Sequence, residues 1–161
     1  MFIEAVPKSL KSNLESLGES GITEKFYLAG GTALALQLGH RISYDLDFFT
    51  SEEFSEGKLV ARLEQLGDFT VTHRAEDTLF GSLNGTKVSF FWYRYPLIFP
   101  TTSFLDSMLA DVKEIGAMKI DALQSRGKKR DFIDLWALLT HVFTFGDLIG
   151  FFEKKYRVVN Y

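Results

Sequence analysis

The stretch that decides the fold is 26–49, FYLAGGTALALQLGHRISYDLDFF. It reads as strand, Gly-Gly turn, helix, loop and strand. Phe26 to Ala29 is a short apolar run, Gly30 and Gly31 break it, and Thr32 to Leu38 is rich in the helix formers Ala and Leu. Asp45 and Asp47 then open a second apolar run through Leu46, Phe48 and Phe49. Two glycines between a strand and a helix let the backbone turn tightly and approach a ligand. The helix that follows offers unpaired N–H groups and the positive end of its dipole, which suits a phosphate. Thr32 has two readings, a helix cap or a hydroxyl donor to a phosphate oxygen. Side chains alternate along a strand, so Asp45 and Asp47 point to one face and Leu46 to the other. Two carboxylates on one face suit Mg²⁺ or Mn²⁺, which take oxygen ligands and leave room for substrate phosphates.

Outward from this unit, residues 8–18 have leucines at helical spacing, and 19–25 is a polar linker. In the loop 39–44, His40 reads as structural. Arg41 is either an ion-pair partner of Asp45 or a contact to a nucleotide, and Ser43 is open between the same two kinds of role. Ser55 caps a helix carrying Leu59, Leu63 and Leu66, closed by Gly67. Strands follow over 69–73, 78–83 and 86–93, and Asn84-Gly85 predicts a tight hairpin, so this part of the sheet is an antiparallel meander. Residues 95–104 form a proline-punctuated crossing segment. Asp111 and Glu114 have the spacing of a capping box for a helix over 112–125. Lys119 and Arg126 lie two turns apart on nearly one face of it. A helix over 131–142 puts Asp131 and Asp134 on one face, and Asp134, inside an apolar stretch, requires a partner among Lys119, Arg126 and Arg130. A last helix spans 144–156, followed by a short tail, RVVNY.

Two segments carry a family resemblance. Residues 30–49, GGTALALQLGHRISYDLDFF, resemble the opening motif of the DNA polymerase β-type nucleotidyltransferases and, more narrowly, of the AbiEii/AbiGii toxin family. KIDALQSRGKKRDFIDLWAL (119–138) resembles that family's downstream Lys…Arg and Asp-X-X-Asp-Leu motifs. The resemblance implies an α+β nucleotidyltransferase fold, a mixed sheet flanked by helices. The expected layout is a single domain over 1–161, with an αβ core over 1–105 and a helical part over 106–161. It implies metal ligation by Asp45 and Asp47, and a nucleoside triphosphate held by Gly30, Gly31, Thr32, Arg41, Ser43, Lys119 and Arg126. It makes Asp45, Asp47, Lys119, Asp131 and Asp134 the catalytic set, with Asp131 and Asp134 completing the site or orienting Lys119. The acceptor would be an RNA, such as tRNA, or a protein. The biological role would be that of a toxin in a toxin–antitoxin or abortive-infection system, with a cognate antitoxin. Relatives supply a third carboxylate from a strand like 86–93. Here that position falls near Ser89 and holds no acid, so the alternative is a degenerate member that binds nucleotide or a partner without transfer. Glu76 and Asp77 could substitute only by an unusual chain path. Family members often run longer at the C-terminus, so this chain is either a compact member or a truncated one.

Composition narrows the class further. The 161 residues include 16 Phe and no Cys, which implies an aromatic core and excludes disulfides and thiolate metal sites. Three scattered His leave no zinc pattern, no Gly-Lys-Ser/Thr follows the turn, and the third glycine of a dinucleotide motif is missing. The absence of a long apolar run or secretory leader gives a cytoplasmic, non-membrane expectation. A net charge of −3 argues against nucleic-acid binding by the whole surface. Arg126, Lys128, Lys129 and Arg130 form either a local basic groove or a solvated loop.

Overall fold

The computed structural model describes residues 1–157; the tail from Val158 onward lies outside the described residues. After a 3-10 turn at Ile3–Ala5 come helix α1 (Lys8–Glu19), a second 3-10 turn at Ile22–Lys25, strand β1 (Tyr27–Ala29), helix α2 (Gly30–Leu38) and strand β2 (Asp45–Thr50). Helix α3 (Glu56–Glu64) leads to strands β3 (Phe69–Ala75), β4 (Thr78–Leu83) and β5 (Thr86–Trp92). A short pair, β6 (Thr102–Phe104) and β7 (Ser107–Leu109), precedes helices α4 (Val112–Ser125), α5 (Lys129–His141) and α6 (Phe145–Arg157). The seven strands form one mixed sheet in the order β3-β4-β5-β2-β1-β7-β6. This is the expected α+β architecture. β3, β4 and β5 form the antiparallel meander, with Asn84 and Gly85 both at positive φ in its turn.

β2 pairs antiparallel with β1 and parallel with β5, so it is central and hydrogen-bonded on both sides. Its burial alternates as period-two patterning requires: Leu46, Phe48 and Thr50 are buried, while Asp45, Asp47 and Phe49 are partly open. The buried face joins Val88 and Phe90 of β5 and receives α1, whose Leu10, Leu14 and Leu17 are buried and whose Asn13 donates to the Thr86 hydroxyl at 2.7 Å. Phe48 stacks on Phe90 with ring centroids 5.3 Å apart. On the open face, Phe49 stacks on Phe91 at 4.7 Å, and α4 comes over this surface with Ile115 and Met118. The Phe-rich composition thus builds aromatic layers on both sides of β2.

Three expectations are corrected. The helix begins at Gly30 rather than Thr32, so both glycines belong to its first turn. Residues 102–109 form the β6–β7 pair, and β7 lies parallel to β1 inside the sheet. The 105/106 boundary therefore cuts a hairpin, and the helical part begins only at Val112. Asp111 does cap α4 through the Lys113 amide at 2.8 Å, but Glu114 does not close a capping box. Its buried carboxylate instead accepts from the Ile98 and Phe99 amides, both at 3.0 Å, and from Lys155 of α6. Burial pulls the Lys155 ammonium below its ordinary range, while Glu114 opposes the shift.

Candidate active site

Asp45 and Asp47 project from the open face of β2, in register with Lys87 and Ser89 of β5. Ser89, buried, is thus the direct neighbour of Asp47, where the missing third acid was expected. Across β1, Ala29 is the partner of Asp47, which brings the start of α2 alongside the carboxylates. Gly30 has φ +67°, and a Cβ on it would stand 3.1 Å from Asp47 Oδ2. Both the backbone conformation and the close approach demand glycine there. At Gly31 a Cβ would collide with the Arg41 guanidinium, which lies over the helix start. Ala29 provides no side-chain cap to the first amides of α2, and Gly30 and Gly31, which carry them, line the cleft.

Behind this sits a charge cluster that ties three elements together. Asp134, fully buried on α5, accepts from Arg41 Nε at 2.7 Å and Nη2 at 3.1 Å, lies 2.7 Å from His40 Nε2, and pairs with Lys119 at 2.7 Å. Burial alone would raise its pKa, but the His40 and Arg41 hydrogen bonds and the Lys119 charge hold it well below the carboxylate range. Asp131, in the first turn of α5, accepts from Lys119 at 2.9 Å and from Arg126 through two bonds of 3.1 Å. Against burial, the Arg126 and Lys119 bonds also lower it. Lys119 therefore bridges both carboxylates, and α4 and α5 are joined through it.

Asp47 is different. Burial, then the neighbouring Asp45 charge, raise its pKa, and no hydrogen bond to its carboxylate forms among the described residues. Asp45 is paired with Arg130 Nη1 at 2.9 Å. These groups line an open cleft of about 140 Å³ with six cationic side chains, Arg41, Lys87, Lys119, Arg126, Lys128 and Arg130, against the carboxylates of Asp45, Asp47 and Asp131. An under-compensated pair of acids on one strand, next to glycine with no Cβ to crowd it, fits a divalent cation. Among the described residues no three acidic, histidine or cysteine side chains converge as a ready-made cage, so two carboxylates are what the protein offers.

Of the residues expected at the site, Gly30, Gly31, Arg41, Ser43, Asp45, Asp47, Lys119, Arg126 and Asp131 line this cleft, and Asp134 backs it. Thr32 departs from both of its readings. It is buried, and its hydroxyl is bonded to Ser43 and to the Asp45 carbonyl, so it ties α2 to the start of β2 and neither caps the helix nor faces the cleft. Ser43 is a buried partner in that tie. Arg41 pairs with Asp134 rather than Asp45. Asp134 takes Lys119 from the expected set, while Arg126 and Arg130 go to Asp131 and Asp45. Asp77 is bound by Arg94 at 3.1 Å near the β3–β4 turn, outside the cleft. Sequence reasoning missed Lys87 and the contact of Arg130 with Asp45. Lys87 was legible in one way: it stands two residues before Ser89, on the same face.

Carboxylates on a central strand, a glycine-started helix beside them and a cation-lined cleft define a domain of the nucleotidyltransferase class. The chain belongs to the AbiEii family, described as "Nucleotidyl transferase AbiEii toxin, Type IV TA system", whose model matches residues 14–103. A relative in Aquifex aeolicus (strain VF5), aq_aa25, is 39% identical over 159 residues, covering 96% of this chain and 77% of that protein. Among solved structures, JHP933 from Helicobacter pylori matches with a TM-score of 0.61 at 20% identity, over 94% of this chain and 77% of that one. The antibiotic-resistance factor ANT(2'')-Ia matches with a TM-score of 0.67 at 12% identity, over 91% and 90%. The Megavirus polyadenylate synthase matches with a TM-score of 0.56 at 12% identity, over 82% of this chain and 31% of that one. At these identities the structural likeness establishes the fold. No single helix among the described residues is long and apolar enough to cross a membrane.

Proposed function

We propose that this cleft transfers a nucleoside monophosphate from a nucleoside triphosphate to a hydroxyl of an RNA acceptor such as tRNA, in a Mg²⁺- or Mn²⁺-dependent reaction. The observation that carries the reading is the pairing of Asp45 and Asp47, on one face of β2, with the uncapped start of α2 and the surrounding cations. The acceptor hydroxyl gives up its proton to water as its oxygen bonds to the α-phosphorus, the bond from that phosphorus to the α,β-bridging oxygen breaks, and pyrophosphate leaves. Asp45 and Asp47 would hold the divalent ion, which supplies charge neutralisation at the phosphates when bound. The α2 amides and Arg41 receive phosphate oxygens near Gly30 and Gly31. Lys119, fixed between Asp131 and Asp134, carries positive charge to the leaving side without needing to reorganise. Asp134 acts through Lys119 and Arg41 and is a positioning residue. A basic rim suits a polyanionic acceptor better than a cationic one. A protein hydroxyl is the other acceptor the chemistry admits. The family supports a toxin role, with an antitoxin to restrain it.

The test is calorimetric titration of each nucleoside triphosphate, with and without Mg²⁺, into wild type and an Asp45→Asn/Asp47→Asn variant. Mg²⁺-dependent binding that the variant loses is expected, followed by pyrophosphate release with RNA. Failure of the folded wild type to bind any triphosphate sinks the reading. Ser89 favours one second reading, nucleotide binding without transfer. Tight binding with no pyrophosphate release on any RNA or protein acceptor would select it.

A further inference from the structure

We propose that Arg130 is an exchangeable counter-ion of the active site: it neutralises Asp45 in the free protein and passes to the triphosphate when a divalent cation takes Asp45. The inference rests on the reading of Asp45 and Asp47 as metal ligands.

The cleft's cations are anchored in two ways. Lys119, Arg126 and Arg41 are bound to Asp131 and Asp134, two buried acids outside the Asp45/Asp47 pair. Arg130 alone, among the described residues, is paired with a carboxylate of the Asp45/Asp47 face. Arg130 and Arg126 are equally exposed, at 53% and 52%, but Arg126 holds the buried Asp131 through two bonds, whereas Arg130 holds the more open Asp45 through one, so Arg130 is the cation freer to leave. The pairing also answers a problem of the free site. Two acids projecting from one strand repel each other, and a guanidinium on one of them relieves that repulsion.

A divalent ion and a guanidinium cannot share Asp45 without placing like charges side by side. Binding of the ion therefore expels Arg130. The side chain is rooted in the first turn of α5, next to Asp131, and lines the same cleft, so a bound triphosphate is the anion within its reach. The planar fork of arginine suits two phosphate oxygens at once. The exchange makes metal and nucleotide cooperative. Metal alone must compete with Arg130, whereas metal arriving with a triphosphate gives the displaced guanidinium a new partner.

The experiment is a Mn²⁺ titration followed by electron paramagnetic resonance on the folded full chain without nucleotide. Wild type, Arg130→Gln, Arg130→Lys and Asp45→Asn are compared. Nucleotide titrations at saturating Mn²⁺ follow, using non-hydrolysable analogues of the four triphosphates. Arg130→Gln should bind Mn²⁺ about two- to five-fold tighter than wild type, the range expected for losing one partly exposed competing ion pair. The same variant should bind the preferred triphosphate several-fold more weakly, and Arg130→Lys should fall between. If Asp45→Asn weakens Mn²⁺ binding but Arg130→Gln binds it no tighter than wild type, the counter-ion role is overturned while the metal reading stands. If Mn²⁺ binding tightens but triphosphate binding is unchanged, the transfer to phosphate is overturned. If wild type binds no Mn²⁺, the metal reading fails and takes this inference with it.

Discussion

Asp47 lines the cleft and Asp134 backs it, with opposite electrostatics. Asp134 is held in its charged form by the His40, Arg41 and Lys119 groups that converge on it, whereas at Asp47 burial and the Asp45 charge oppose ionisation, and Lys119, Arg126 and Lys87 counter them without a hydrogen bond. Asp134→Asn would leave Arg41 and Lys119 facing a neutral amide in a buried setting. Unfolding in urea should show a loss of about 3 kcal/mol at neutral pH. The sign in pH follows from the lowered pKa. The stabilisation is fully present above the ordinary carboxylate value of about 4 and is lost as pH falls toward the lower folded value. Wild type should therefore lose stability in acid more steeply than Asp134→Asn, with Asp131 contributing in the same direction. Asp47→Asn should do the reverse, raising the thermal midpoint by removing an unfavourable buried charge, while lowering any transfer activity by about 10²-fold or more. A midpoint that falls in Asp47→Asn would contradict the strained-acid account.

At the scale of elements, two of the sheet's sharp turns differ in how they are made. Asn84-Gly85 uses residues that accept positive φ, and Leu105-Asp106 adopts the same sign of φ without glycine. Asp106→Gly should relieve part of that strain and stabilise the protein by about 0.5 kcal/mol in equilibrium unfolding. A destabilised variant would mean that the Asp106 side chain contributes more than its backbone costs. The same contrast explains what was readable. The Asn-Gly hairpin, the period-two β2 and the leucine spacing of α1 and α3 are local signals and could be read directly. The β6–β7 pair has strands of three residues, no glycine at its turn, and follows directly on Pro96 and Pro100, so no local signal was strong enough to announce it. Glu114 had the spacing of a capping box, but its carboxylate goes to amides of the 98–99 segment and to Lys155, a choice made by tertiary packing. Lys155→Met should cost about 3 kcal/mol by leaving that carboxylate buried without its cation. Pairing it with Glu114→Gln should recover much of the loss, as a double-mutant cycle would read out.

Over the whole molecule, the site's carboxylates and its cations come from different parts of the chain. Two-residue spacing on one strand revealed the carboxylates. The cations reach them from β5, α4, α5 and the 39–44 loop, so the Arg41–Asp134 pair joins residues 93 positions apart and leaves no trace in any short window. A cation-lined cleft on a chain of net charge −3 makes triphosphate binding a local electrostatic event. Affinity should fall on the order of tenfold between dilute and half-molar salt. A flat salt response would point instead to apolar contacts. The central position of β2 has a mechanical consequence. Its backbone is bonded on both sides, so its amides should be among the slowest to exchange with solvent. Lys119, buried between Asp131 and Asp134, couples α4 to α5 by charge, so the basic side of the cleft at Lys119 is held in place as the strand carrying Asp45 and Asp47 is. Ionic strength then acts on the affinity of the cleft and leaves its aperture alone, because the buried pairs that join α4 to α5 are screened far less than the exposed charges at the rim, and the site keeps one shape from one medium to another.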